Sequence, residues 1–68
     1  MKDEVLSRKI NRIILQLSNQ LNVSLERASE LFYETETCAR LHDARYGLHL
    51  MSDRYIIHDL FYELQKRQ

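Results

Sequence analysis

The sequence predicts an all-α fold: a single small domain over residues 1–68, with three to four helices and a loop around Gly47. Three observations carry this. Apolar residues recur every three or four positions over long stretches, the spacing of one helix face. The chain has no proline and one glycine, so few breaks interrupt it. No stretch alternates apolar and polar residues for long enough to demand a sheet, although Leu48–Met51 is able to pair briefly.

The first helix rests on Leu6, Ile10, Ile13, Ile14, Leu17 and Leu21, which step by 4, 3, 1, 3 and 4. That stripe spans about 17 residues, or roughly 26 Å. Asp3 and Glu4 sit at the positive end of its dipole, and Asn22 is suited to a left-handed terminating conformation. Ser24 then caps a second helix with Glu26 in its first turn, and Val23 and Ala28 form a small hydrophobic staple around the cap. Its buried face is expected to be Leu25, Ala28, Leu31 and Phe32. After Tyr33 the pattern weakens. Thr35 and Thr37 favour capping a fresh turn over continuing a helix, which predicts a break at residues 34–36 and a short helix through Leu41.

Residues 42–51 read as a loop in which Gly47 supplies a positive backbone angle. Ser52 caps the last helix, with Asp53 in its first turn. Ile56, Ile57, Leu60, Phe61 and Leu64 line its apolar face, while Lys66 and Arg67 complement its C-terminal dipole.

A chain of this length buries only about 60% of its unfolded surface, so its core is thin. Small domains of this kind often lean on a disulfide, a metal or a second subunit. Cys38 is the only cysteine, which removes an intrachain disulfide and fits a reducing compartment. No apolar run approaches the roughly 20 residues that span a bilayer. The opening MKDEVLSRKI carries acids and no apolar core, so no secretory leader is expected. These points predict a cytoplasmic protein without membrane contact, and a homodimer is the expected support for the core.

Ten basic and ten acidic residues cancel, which disfavours a general polyanion binder. The balance is uneven along the chain: residues 1–25 carry +2, residues 26–36 carry −3 and the remainder +1. Such an arrangement suits protein partners better than nucleic acid.

Few residues offer chemistry. His42, His49 and His58 with Asp43, Asp53 and Asp59 lack the three- or four-residue histidine spacing of a helical metal site, so exposed or capping histidines are the simpler account. Cys38 has His42 one turn later. The glutamates upstream would raise its pKa, however, which favours a buried structural thiol over a nucleophile. One glycine leaves no phosphate-cradling loop. The expectation is a protein that is not an enzyme and holds no cofactor or metal. Arg8, Lys9 and Arg12 read as the solvated face of the first helix.

Residues 17–29, LSNQLNVSLERAS, have the form of a helix-turn-helix turn, with residues 24–33 as the reading helix. That helix brings Glu26, Glu30 and Glu34 towards phosphates with only Arg27 to offset them, which makes DNA contact costly. A DNA-binding autoregulator is therefore the alternative, not the leading reading. The aromatics remain: Tyr33, Tyr46, Tyr55 and Tyr62 with Phe32 and Phe61, none of them among the first 31 residues. They either complete the thin core or offer the large, polar-tipped contact area of an interface.

Residues 28–33 (ASELFY), 35–41, 47–50 (GLHL) and 52–56 (SDRYI), continuing to Glu63 and Leu64, resemble a family of short bacterial proteins of unknown function. The resemblance covers roughly residues 10–65. Family members are all-helical, lack catalytic residues and are often encoded beside toxin-like enzymes similar to ADP-ribosyltransferases. The resemblance implies the antitoxin or immunity half of such a pair. The sequence departs from the pattern at Leu48-His49, where an aromatic is expected, and at Arg54, where a proline-like or acidic residue is common. The combined expectation is a protein–protein interaction module that occludes a partner enzyme through Glu30, Tyr33, Glu34, Tyr55 and Tyr62. A purely structural homodimer with no other partner is the third possibility.

Overall fold

A computed structural model describes residues 2–66 and, from residue 4 onward, their side chains. Four α-helices are present: α1 (Lys2–Leu21), α2 (Leu25–Tyr33), α3 (Glu36–Leu41) and α4 (Asp53–Lys66). No strand occurs among the described residues. The all-α expectation holds. Helix α1 is longer than its apolar stripe: 20 residues, about 30 Å, which nearly spans the molecule's 31 Å long dimension.

The α1 stripe becomes one wall of the core, with Ile10, Ile13, Ile14 and Leu17 buried. The helix ends as the sequence foretells, with Asn22 at φ 57°. The Val23 amide donates back to the Ser18 carbonyl at 3.1 Å, and the Ser18 hydroxyl donates to the Val23 carbonyl at 2.6 Å. This double closure satisfies helix-end carbonyls and keeps Ser18 buried without an orphaned group. Ser24 accepts from the Arg27 amide and starts α2. Ala28 and Phe32 are fully buried and Val23 packs beside the core. Leu25 corrects the expected buried face, because it is 54% exposed. It opens α2 one turn before Ala28, and the core begins at Ala28.

Thr35 caps α3 by accepting from the Cys38 amide at 3.2 Å, and its own hydroxyl donates to the Phe32 carbonyl at 2.6 Å. Residues 42–51 are a loop, as expected, but they are not extended. They form two tight 3₁₀ turns, Ala44–Tyr46 and Leu48–Leu50, joined by Gly47 at φ +66°. The brief strand pairing expected of Leu48–Met51 does not occur. The Leu50 and Met51 amides bond to carbonyls three residues back, at 3.0 Å each, and so are not available to a ladder. Ser52 caps α4 through the Tyr55 amide at 3.2 Å. Ile56, Ile57 and Leu60 are buried, with Phe61 and Leu64 partly so. Lys66 lies in the last turn of α4, whereas Arg67 and the Asp3 side chain lie outside the described residues.

Helix α1 packs on α2 and α4, and α3 bridges α2 and α4. A polar clamp fixes the α1–α4 pair: Lys9 Nζ and Arg12 Nε each lie 2.8 Å from an Asp53 carboxylate oxygen. Lys9 and Arg12 are therefore not simply a solvated face, as expected from sequence. They hold the N-terminus of α4. No helix among the described residues is long and apolar enough to cross a membrane.

Candidate functional site

A concavity of about 650 Å³ opens between α3 and α4. Helix α3 contributes Glu36, Thr37 and Arg40; α4 contributes Asp59, Tyr62, Glu63 and Lys66; Glu34, the C-cap of α2, closes one end. Four carboxylates thus face two cations. The α4 wall follows from helical periodicity, since Tyr55, Asp59, Tyr62 and Lys66 fall on one stripe at steps of four, three and four. Lys66 Nζ lies 5.0 Å from the Tyr62 ring centroid, a distance at which the ring's negative face attracts a cation.

Glu63 organises this surface. Its carboxylate accepts from the Glu36 amide (2.6 Å), the Thr37 amide (3.0 Å) and the Thr37 hydroxyl (2.8 Å). A side chain from α4 thereby caps the first turn of α3, which leaves two of its amide donors satisfied from across the fold. Burial pushes the Glu63 carboxyl upward, but these donors and the nearby Arg40 charge outweigh it and hold the group below the ordinary glutamate range. Asp53 is shifted further. Hydrogen bonds from Arg12 and then Lys9 lower it to about 2.

The five expected contact residues do not share one surface. Glu34 and Tyr62 line the α3–α4 concavity. Tyr55 extends its α4 stripe beyond the rim and is half exposed. Tyr33 faces elsewhere, lining a hollow of about 290 Å³ against Leu6, Ser7, Ile10, Asn11 and His42. Its ring meets Phe32 edge-on at 5.2 Å between centroids. Glu30 lines neither and pairs with Arg27 at 3.2 Å. Sequence reasoning missed Asp59, Glu63, Arg40 and Lys66. The first and last were visible as members of the Tyr55–Tyr62 stripe. Glu63 had no local signal, because its partners lie 26 and 27 residues away.

An apolar-walled hollow of about 490 Å³, also lined by His42, lies between α1 and the loop. Cys38 is buried below, and burial raises its thiol pKa; the direction is the expected one, but the cause is desolvation, not the upstream glutamates. His42 Nδ1 sits 3.7 Å from the Cys38 sulfur but 2.8 Å from the Cys38 carbonyl, to which it donates. A nitrogen engaged as a donor has no lone pair with which to take the thiol proton. No group of three or more metal-ligating side chains is assembled among the described residues.

Compared with protein-family models, curated proteins and solved structures, the chain finds no match.

Proposed function

We propose that this chain is a non-enzymatic protein-interaction module of the antitoxin or immunity type, which binds a partner enzyme and covers its active site or substrate cleft. The observation that carries the reading is the α3–α4 concavity, which Glu34, Glu36, Asp59 and Glu63 line together with the half-exposed Tyr62. Four carboxylates against the cations Arg40 and Lys66 leave an acidic excess beside this tyrosine, which suits a basic, aromatic-tolerant segment of a partner protein. The pairing of cations elsewhere supports a protein partner over nucleic acid. Lys9 and Arg12 share Asp53, and Arg27 holds Glu30, so two carboxylates offset the three cations down to a single net positive charge, little for phosphates to bind.

One observation favours the DNA-binding alternative: residues 22–24 join α1 to α2 with the three-residue turn of a helix-turn-helix. The structural homodimer draws on the exposed Tyr33, Tyr46, Tyr55 and Tyr62 rings, together with Leu50 and Val5.

Co-purification with the product of the adjacent gene separates the three. The interaction reading expects a stable complex that Tyr62→Ala weakens about tenfold or more. A chain that stays alone and retards its own promoter DNA, with steep salt dependence and loss on Arg27→Glu, overturns it in favour of the regulator. A chain that meets neither, but whose melting temperature climbs with its own concentration, is the homodimer.

A further inference from the structure

We propose that residues 35–51 form a separately opening flap on a three-helix frame, latched shut by Glu63. The frame is α1, α2 and α4, which supply nine of the twelve buried apolar residues; the flap supplies Cys38, Leu41 and Leu48. Inside the flap nothing is self-sufficient. Helix α3 has six residues, too few to persist alone, and the two turns after it are three residues each. The flap's backbone bonds beyond α3 run only three or four residues back, as in His42 to Cys38, Tyr46 to Asp43 and Met51 to Leu48. Such bonds confer local shape but no attachment to the frame.

Apart from Thr35, which stays on the Phe32 carbonyl at the hinge, polar attachment of the first turn of α3 comes from one side chain. Three hydrogen bonds tie that turn to the frame, and all three end on the Glu63 carboxylate. The flap's two ends are natural hinges. At one, the Thr35 hydroxyl stays bonded to the Phe32 carbonyl, so α2 keeps its terminus when α3 moves. At the other, Ser52 remains bonded to the Tyr55 amide, so α4 keeps its cap. Loss of the latch therefore frees the flap while the caps of the frame survive. Opening exposes Cys38, Leu41 and Leu48, and it is local because the frame keeps the other nine buried apolar residues.

Residue-level amide exchange under native conditions tests the proposal on the free protein. In Glu63→Gln the amides of residues 38–51 are expected to exchange about tenfold faster, because the substituted amide cannot accept at all three donors. The amides of residues 10–17 in α1 keep their wild-type rates. Asp59→Asn removes a carboxylate from the same concavity without touching the latch and matches wild type throughout. Thr37→Val removes one of the three bonds and gives the same regional pattern at smaller amplitude. The proposal is overturned if the flap amides of both latch variants hold their wild-type rates, or if α1 amides accelerate by the same factor as the flap. It is also overturned if Glu63→Gln unfolds the chain and Thr37→Val shows no regional difference.

Discussion

Helices α1 and α2 are joined by contacts between near neighbours, whereas α3 and α4 are placed by contacts across 26 to 44 residues. The first pair closes through Ser18, Asn22, Val23 and Ser24, within seven consecutive positions. The second depends on Glu63 reaching α3 and on Asp53 reaching Lys9 and Arg12. The candidate site lies in the second region. A binding surface built on non-local polar ties can be altered by one charge, while the locally determined pair beneath it keeps its shape.

The largest effect should come from the shared core. Phe32 is fully buried, and Phe32→Ala is expected to cost about 3–5 kcal/mol, enough to unfold a domain of this size. Urea denaturation followed by circular dichroism checks this; a loss below about 1 kcal/mol would mean that the C-terminal region carries the stability instead.

Next comes the α1–α4 clamp. Asp53 is depressed to about 2 against an ordinary value near 3.9, so its contribution is fully present above that ordinary value. It is lost as pH falls towards 2. Asp53→Asn should cost about 2 kcal/mol at neutral pH and flatten the decline in stability between about pH 4 and pH 2. Stability measured against pH for both proteins tests this, and parallel curves would remove the clamp from the account.

The comparison also explains what was legible in the sequence. Much of what residues a few positions apart set could be read: the α1 stripe, the left-handed Asn22, the caps at Ser24, Thr35 and Ser52, and the positive angle at Gly47, though not the two 3₁₀ turns around it. The break at residues 34–36 and the buried Cys38 were readable for the same reason. Contacts between distant residues were not. Lys9 and Arg12 looked like solvated charges because periodicity does not reveal Asp53 forty-odd residues away. Nothing near Glu63 in the sequence marks it as the cap of a helix 26 residues away. For the site, Glu34 and Tyr62 were reachable from composition and spacing. Tyr33 and Glu30 were not separable from them, since a sequence does not say towards which concavity a ring turns.

The smallest stability effect sharpens the local side of the comparison. No heavy atom lies within 4 Å of a Cβ built on Gly47, so Gly47→Ala meets no clash and suffers only the left-handed backbone penalty, about 1 kcal/mol. Gly47→Asn should cost less, as Asn22 already tolerates φ 57°. Thermal melts of the two variants rank them, and a larger loss for asparagine would point to crowding instead of backbone strain.

The most direct test of the interaction surface is the affinity of the adjacent gene's product for wild type and for Asp59→Lys, measured with the melting temperature of each. Asp59 sits on the outer stripe of α4 beside Tyr62, inside the concavity. The account predicts a nearly unchanged melting temperature and an affinity reduced about tenfold or more, because a like charge now faces a basic partner segment. Equal affinities with equal stability would contradict it, and would move the partner surface, if there is one, away from α3 and α4.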